Sequence, residues 1–172
     1  RDINSKIQGC TNCESGNYTV IIDLNGNLIF NSKKKSTDCI QCIEGKYSLY
    51  SYQNCLECDP GKYQSSKGRS FCYNNGLFPD GSSRTSPSKW YTNINDKTTS
   101  YECSSGNYTH GGSNNNSRIY CSNCISGYVC NGTSIMIKCE RGRYSNNGIS
   151  CDDCGIDSRY STYGKVCTEC LA

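Results

Sequence analysis

The sequence has few of the residues that normally fill a protein core. Leu, Ile, Val and Phe account for 26 of the 172 residues, and Met and Trp occur once each. A chain with less than about 20% of these four apolar types stays disordered unless something else constrains it. A single large hydrophobic core is therefore excluded, and the fold needs another source of stability.

Long apolar runs and a strong charge are also missing. No apolar stretch approaches the roughly 20 residues of a transmembrane helix, so we predict no transmembrane segment in this chain. The net charge of +3 is too small to indicate a nucleic-acid partner. The basic run Lys33, Lys34 and Lys35 is interpreted as a solvated loop, with a glycan or anionic surface contact as the alternative. Because the chain lacks an initiator Met, a signal segment and a hydrophobic tail, we expect a processed product or a piece of a longer protein.

Residues for acid–base catalysis are scarce. The single histidine, His110, lies in a Gly-rich stretch and is predicted to be a solvated loop residue. Asp152 and Asp153 are predicted to face solvent, with a calcium site as the weaker alternative because no spaced set of oxygen ligands accompanies them. We therefore predict that the protein is not an enzyme and needs no cofactor.

Cysteine is abundant instead. The chain contains 16 cysteines, about 9% of its residues, a density typical of disulfide scaffolds in secreted proteins. Each disulfide stabilises a fold by about 2–4 kcal/mol, mainly by constraining the unfolded chain. We predict that all of them form disulfides: Cys10, Cys13, Cys39, Cys42, Cys55, Cys58, Cys72, Cys103, Cys121, Cys124, Cys130, Cys139, Cys151, Cys154, Cys167 and Cys170.

Four Asn-x-Ser/Thr sequons support entry through the secretory pathway. They begin at Asn17, Asn107, Asn115 and Asn131, and none is blocked by proline. Asn17 and Asn107 occupy the same place in an internal repeat. We predict N-linked glycans at these four positions and an extracellular or cell-surface location.

The repeat is the strongest pattern in the chain. Its motif is C-x-x-G-x-Y, in which the glycine permits a positive-φ turn after the half-cystine and the tyrosine begins a short strand. We expect the tyrosine rings to cover the disulfides. Full copies begin at Cys13, Cys42, Cys58, Cys103 and Cys139, with a compressed copy at Cys124 and a looser one at Cys154.

Each motif is followed by a turn and another cysteine, which predicts a β-hairpin. Asn25 and Gly26 between apolar residues are the clearest example. The predicted fold class is therefore small and disulfide-rich, with β-hairpin repeats in an elongated rod and little helix. We divide the chain into cysteine-rich repeats over 1–72, a Cys-free insert or linker over 73–102, and cysteine-rich repeats over 103–172.

Two disulfide schemes are compatible with the spacing. In the hairpin scheme, which we narrowly favour, the cysteine of each motif pairs with the next cysteine, and Cys10 and Cys170 remain to join flanking repeats or successive subunits. The pairs are then 13–39, 42–55, 58–72, 103–121, 124–130, 139–151 and 154–167. In the interleaved scheme, modules of four pair first to third and second to fourth, giving 10–39, 13–42, 55–72, 58–103, 121–130, 124–139, 151–167 and 154–170.

These motifs resemble the ephrin-receptor-like cysteine-rich modules, which are similar in style to tumour-necrosis-factor-receptor repeats. The resemblance is best from Cys121 to Cys154, where a CxxC is followed by Gly-Tyr-x-Cys, then by Cys-x-x-Gly-x-Tyr-Ser and a closing CxxC. It covers roughly 10–72 and 103–170, and departs from the family in the 73–102 insert. The resemblance implies extracellular modules of the kind found in receptors, matrix proteins and protist surface proteins.

Other uses of the cysteines are weaker hypotheses. Two sets have a spacing that four-thiolate zinc sites also use: Cys39, Cys42, Cys55 and Cys58, and Cys151, Cys154, Cys167 and Cys170. A thiol oxidoreductase needs a CxxC at a helix N-terminus, and no helical pattern follows any of the pairs. The sequons and the hairpin motifs favour oxidised cysteines.

Two functions fit these predictions. The first is an extracellular structural glycoprotein, a rod or filament subunit that associates with itself or with flanking repeats of the same protein. The second is the ectodomain of a cell-surface receptor or antigen, with a loop such as 73–102 binding a protein or glycan partner. The mild charge and the leftover cysteines favour the structural hypothesis.

Overall fold

The computed structural model describes residues 13–30, 38–50, 53–155, 159–160 and 167–169. In these ranges the regular structure is short strand, apart from one turn of 3₁₀ helix at Pro87–Lys89. This confirms the predicted class of small, disulfide-rich hairpin repeats with little helix. The strands are β1 (Asn17–Ile22), β2 (Leu28–Phe30), β3 (Asp38–Gln41), β4 (Lys46–Tyr47), β5 (Leu56–Glu57), β6 (Lys62–Tyr63), β7 (Tyr73–Asn74), β8 (Trp90–Tyr91), β9 (Tyr101–Glu102), β10 (Asn107–His110), β11 (Tyr120–Asn123), β12 (Tyr128–Cys130), β13 (Met136–Lys138), β14 (Arg143–Tyr144), β15 (Asp152–Asp153), β16 (Arg159–Tyr160) and β17 (Thr168–Glu169).

The chain forms two compact units. The first comprises Arg1–Asp59, Tyr63–Cys72 and Lys97–Thr99, and the second comprises Pro60–Lys62, Tyr73–Asp96 and Ser100–Ala172. The Cys-free segment 73–102 is folded: it contains β7, β8, β9 and the 3₁₀ turn, and most of it belongs to the second unit. The division of the chain into 1–72, 73–102 and 103–172 stays a prediction.

The first unit contains a three-stranded antiparallel sheet in the order β2-β1-β3. The predicted hairpin at Asn25 and Gly26 is confirmed, since Ile22 pairs with Leu28 across this turn and Gly26 has φ of 82°. Asp23 stabilises the turn, because its Oδ1 accepts hydrogen bonds from the backbone N–H groups of Asn25 and Asn27 at 2.9 and 2.7 Å. The remaining strand pair of this unit is β4 with β5.

The second unit contains successive two-stranded antiparallel hairpins. Its paired strands are β8 with β9, β10 with β11, β12 with β13, β14 with β15, and β16 with β17. Each pair joins neighbours in the sequence, as expected where tight turns connect the strands. Strand pairing therefore joins only residues within one hairpin, so the hairpins must be held to one another by other interactions.

Backbone hydrogen bonds join consecutive motifs, except between the motifs of Cys58 and Cys103, where the N–H of Cys103 donates to the carbonyl of Lys89 instead. In the forward bond, the N–H of a motif glycine donates to a carbonyl in the next motif, that of the third residue after its glycine. In the return bond, the N–H of the next motif's cysteine donates to the carbonyl of the first glycine. The N···O distances of both kinds lie between 2.7 and 3.1 Å. The forward bonds are Gly16–Ser48 and Gly45–Gln64 in the first unit, and Gly106–Cys130 and Gly127–Ser145 in the second; the return bonds are Cys42–Gly16, Cys58–Gly45, Cys124–Gly106, Cys139–Gly127 and Cys154–Gly142.

Most of the buried positions are cysteines and polar side chains. The residue directly after the motif tyrosine is at most 1% exposed in every full copy, and the tyrosine ring is half-buried except at Tyr63. Neighbouring side chains of a strand point to opposite faces, so burying the residue after the tyrosine turns the ring outward. The expectation that the tyrosine rings cover the disulfides stays a prediction. The buried residues that directly follow the motif tyrosines are Thr19, Ser48, Gln64, Thr109 and Ser145.

Hydrogen bonds satisfy these buried polar groups. The Ser48 hydroxyl donates to the carbonyl of Tyr50 at 2.8 Å, and the Gln64 amide donates to the carbonyl of Phe71 at 2.7 Å. A buried polar group costs free energy only when it lacks such a partner. The interior of each unit therefore combines disulfides with side-chain-to-backbone hydrogen bonds in place of an apolar core.

The buried side chain of Asn75 joins three distant parts of the chain by hydrogen bonds. Its side chain donates to the carbonyl of Arg118 at 2.6 Å and accepts hydrogen bonds from the hydroxyls of Thr92 and Ser100. We expect Asn75→Leu to lower the free energy of unfolding by about 3 kcal/mol or more, because several buried groups lose their partner at once. Chemical denaturation with intact disulfides measures this. The matched control is Asn95→Leu at an exposed turn position, which we expect to change stability by about 0.5 kcal/mol or less; equal effects of the two substitutions contradict the prediction.

Candidate glycosylation sites and exposed surfaces

The described cysteines form seven disulfides with Cα–Cα distances of 5.4–5.8 Å. These are the pairs of the hairpin scheme, and the interleaved scheme is wrong. The two cysteines that the hairpin scheme leaves over, Cys10 and Cys170, lie outside the described residues. The pairs are Cys13–Cys39, Cys42–Cys55, Cys58–Cys72, Cys103–Cys121, Cys124–Cys130, Cys139–Cys151 and Cys154–Cys167.

This pairing bears on the candidate zinc sets. All four cysteines of the first set are in disulfides, and only two of them, Cys42 and Cys55, are bonded to each other. In the second set Cys151, Cys154 and Cys167 are also oxidised. Zinc binds thiolates, so cysteines in this oxidation state are not ligands.

Two of the four sequon asparagines begin strands at matching repeat positions. Asn17 is the first residue of β1 and Asn107 the first of β10, and both are half-buried. The Asn107 amide nitrogen donates to the Ser104 hydroxyl at 3.1 Å, whereas the Asn17 amide nitrogen donates weakly to the carbonyl of Glu14 at 3.4 Å. Their sequon threonines, Thr19 and Thr109, are buried.

The other two sequon asparagines, Asn115 and Asn131, are exposed in the second unit, and Asn115 contacts the segment that follows Asn131. The Oδ1 of Asn115 accepts a hydrogen bond from the Arg118 guanidinium at 2.7 Å and one from the Ser134 hydroxyl at 3.3 Å. Ser134 is three residues after Asn131, whose own Oδ1 accepts a hydrogen bond from the Thr133 hydroxyl at 2.7 Å. Nothing in the sequence spacing indicates the contact between Asn115 and Ser134.

The predicted contact loop 73–102 has a packed centre. The Arg84 guanidinium lies 3.5 Å from the ring centroid of Trp90 and 4.4 Å from that of Phe78, and its Nε donates to the carbonyl of Leu77 at 3.0 Å. Arg84 is only 7% exposed. Such cation–π contacts are strongest where the cation is removed from water, so Trp90 packs within the fold.

His110 is placed differently from the prediction. It is the last residue of β10, paired with Tyr120, and not a residue of a solvated loop. Its half-buried ring lies between the rings of Tyr108 and Tyr120, with centroids 5.1 and 5.2 Å away, and its Nε2 is 2.7 Å from the Ser122 hydroxyl. The strand includes His110, although two glycines follow it directly, because the antiparallel ladder with β11 extends to the pair of His110 and Tyr120.

Asp152 and Asp153 are exposed in β15, as predicted. The Arg143 Nε donates to the Asp153 carboxylate at 2.7 Å, across the β14–β15 pair. Among the described residues no group of three or more potential metal-ligating side chains occurs. The predicted Lys33–Lys35 loop lies outside the described residues.

Two exposed side chains, Glu57 and Tyr101, have pKa values shifted by a neighbouring charged side chain. The Lys97 ammonium donates to Glu57 at 3.0 Å, and this hydrogen bond, with the charges of Lys97 and Lys46, lowers the pKa of Glu57. The stabilisation is present above the ordinary pKa of a glutamate and is lost as the pH falls through the lowered value; it is small because the carboxylate is exposed. In the second unit, the hydrogen bond from the Tyr101 hydroxyl to Asp96 raises the pKa of Tyr101.

Two clusters of exposed apolar side chains were not predicted from the sequence. One is the β1–β2 hairpin, where Leu24, Leu28 and Ile29 are exposed. The other is in the second unit, and we call it the isoleucine cleft. It has a volume of about 210 Å³ and is lined by Ser105, Val129, Cys130, Asn131, Ile135, Ile137 and Ile149. The Ile-Met-Ile alternation at 135–137 was the available signal, because a two-residue period places Ile137 of β13 and Ile135, directly before the strand, on the same face.

No protein-family model matches the chain, and no curated protein matches it. In the described part of the chain, no helix is long and apolar enough to cross a membrane. The protein is a disulfide-rich β protein of small hairpins, and this density of disulfides is compatible with an extracellular location.

Proposed function

We propose that the chain is an extracellular structural glycoprotein, a rod or filament subunit built of disulfide-linked hairpin repeats. Oxidised cysteines at this density persist in extracellular and secretory environments. The four sequons would receive N-linked glycans on the same route. The motifs would place the chain with ephrin-receptor-like modules, and the protein would act without catalysis or a cofactor.

The repeated backbone hydrogen bonds carry this proposal. The same donors and acceptors join motif to motif in both units, for example Gly16 with Ser48 and Gly127 with Ser145. No step of the pattern depends on a side chain that is special to one repeat, so further repeats can be added with the same bonds. Such nearest-neighbour stacking is the basis of repeat proteins that extend in one direction.

The cysteine pairing supports extension as well. Fourteen cysteines pair among themselves, and the two that remain, Cys10 and Cys170, lie in the first and the last repeat. In the proposed assembly they form disulfides with flanking repeats or with another copy of the chain. A bond of this kind would make the association covalent.

The alternative function is the ectodomain of a receptor or surface antigen that binds a protein or glycan partner. The observation in its favour is that the folded segment 73–102 exposes Phe78 and Ile94, at 39% and 41%. Exposed apolar side chains beside polar turns are common in contact surfaces. In this case the repeats would serve as the support of that segment.

The test is the assembly state of the full chain secreted from eukaryotic cells. We expect a series of multimers on non-reducing gels that collapses on reduction, and linear polymers in electron micrographs. The variant Cys170→Ser should stop the series at dimers, because only one linking cysteine remains. The control Thr168→Ser, two residues away, should leave the series intact. Discrete monomers in both assays would overturn the filament proposal and favour the ectodomain.

A further inference from the structure

The isoleucine cleft is an apolar feature of the second unit whose isoleucine side chains stay exposed. Ile135, Ile137 and Ile149 are each more than 60% exposed, although they lie side by side. Single exposed apolar residues are ordinary, but a contiguous group of them marks a surface that something covers. The lining contains no charged side chain, so its occupant must present apolar surface.

One lining residue points to that occupant. Asn131 is the acceptor of the Asn131-Gly132-Thr133 sequon, and it is both exposed and part of the cleft wall. Its Oδ1 accepts hydrogen bonds from the backbone N–H and the hydroxyl of Thr133, at 3.2 and 2.7 Å. These two bonds fix the carboxamide in one orientation, so a group attached to Nδ2 leaves the chain in a defined direction.

We propose that the first sugar residues of an N-linked glycan on Asn131 lie in the isoleucine cleft. The inference rests on the proposed glycoprotein, and names the surface that this glycan covers. In the attachment step, Nδ2 of Asn131 bonds to C1 of the first sugar of a lipid-diphosphate-linked oligosaccharide. The lipid diphosphate leaves with the electron pair of the broken C1–O bond, and Nδ2 loses one proton.

The chemistry of the first sugar matches the cleft. An N-acetylglucosamine ring has one face of C–H groups and an acetamido methyl, which can contact Val129, Ile135 and Ile137, while its hydroxyls stay in water. The cleft is smaller than the roughly 300–1,000 Å³ of pockets that bind free ligands, and suits one ring. Because the sugar is tethered at the rim, its effective concentration is high and a weak contact suffices.

Asn115 provides a matched comparison within the same unit. It is exposed, it is in a sequon, and it lies beside Ser134, but it does not line the cleft. A glycan on Asn115 therefore shares the neighbourhood and the processing of the glycan on Asn131 without the apolar contact. The effects of the two glycans on the cleft should differ.

The experiment uses the full chain secreted from eukaryotic cells, with mass spectrometry to establish occupancy at each sequon. We expect nuclear Overhauser effects between the acetamido methyl of the first sugar on Asn131 and the methyl groups of Ile135, Ile137 or Ile149. Removing the whole glycan enzymatically from the folded protein should raise the fluorescence of an apolar dye and lower the unfolding midpoint by roughly 2–8 °C. Trimming to one sugar should preserve both values.

Asn131→Gln should reproduce the complete removal, and Asn115→Gln should leave the dye fluorescence unchanged. If Asn131→Gln fails to fold, the enzymatic removal and the nuclear Overhauser effects still decide. An Asn131 without glycan in the secreted protein, or an occupied Asn131 without contacts to the isoleucines, overturns the proposal. Neither result depends on polymerisation, so a monomeric protein can carry the contact and a filament can lack it.

Discussion

Gly61→Ala is expected to lower the secreted yield and the stability of the folded chain far more than Gly142→Ala does. Both glycines occupy the same motif position and have nearly the same backbone conformation, with φ of 78° and 79°. An alanine in this left-handed region costs about 1–2 kcal/mol at either position. The conformational cost is therefore the same in the two variants, and any difference in their stability comes from the surroundings of each glycine.

The surroundings of Gly61 leave no room for a side chain. A Cβ there would overlap the carbonyl oxygen of Ser117 and lie 2.7 Å from its Cα, whereas a Cβ at Gly142 meets no described atom within 4 Å. Ser117 cannot easily retreat, because it is buried and its hydroxyl accepts hydrogen bonds from the N–H groups of Ser113 and Asn114, at 3.1 Å each. We expect Gly61→Ala to cost about 3 kcal/mol more than Gly142→Ala.

Secreted yield and the denaturation midpoint under non-reducing conditions measure this pair of variants. Gly61→Ser should behave like Gly61→Ala, since any Cβ meets the same carbonyl. Equal yields and midpoints for Gly61→Ala and Gly142→Ala would contradict the prediction, because the overlap with Ser117 would then not destabilise the fold.

Reduction of the disulfides is expected to unfold both units completely. Each of the seven disulfides stabilises the fold by about 2–4 kcal/mol, and together they exceed the roughly 5–15 kcal/mol of a typical domain. The buried side chains are mostly cysteines and small polar residues, so little apolar burial would remain to hold a reduced chain. The measurement is circular dichroism and methyl dispersion in proton NMR, before and after reduction and alkylation.

Removing single disulfides should give a graded loss. In the chain-entropy account, a loop of 26 residues is worth about 3.5 kcal/mol and a loop of 6 residues about 2 kcal/mol. These are the separations in Cys13–Cys39 and Cys124–Cys130. Replacing both cysteines by alanine should therefore be more damaging in the first pair. A reduced and alkylated protein that keeps its methyl dispersion would contradict the dominant role of the disulfides.

The sequence was sufficient to predict the hairpins and to favour the observed disulfide pairing. A motif that ends in Gly-x-Tyr must turn back, and the cysteine after the turn lies opposite the motif cysteine, as Cys42 and Cys55 do. The Asn25-Gly26 turn follows from local backbone preference alone. Features that depend on one hairpin and a few residues of context are therefore accessible from sequence.

Features that depend on the next hairpin were not accessible. The overlap of a Gly61 side chain with Ser117, and the hydrogen bond between Asn115 and Ser134, join positions whose distance no spacing rule predicts. The burial of Ser48 in place of the Tyr47 ring follows from which face of the strand meets the neighbouring repeat. The alternation of side chains along a strand can be predicted from the sequence, but which face of the strand is buried cannot.

The motif-to-motif hydrogen bonds have a consequence for how such a chain can change over generations. The donors and acceptors are backbone atoms, so the identity of most side chains does not affect them. A repeat needs its cysteines, its glycine and the polar residue buried after its tyrosine, such as Ser145, whereas its exposed positions tolerate substitution at little energetic cost. Lineages that share this scaffold can therefore drift apart in sequence until alignment no longer detects their common descent, while the hairpins and their disulfides persist.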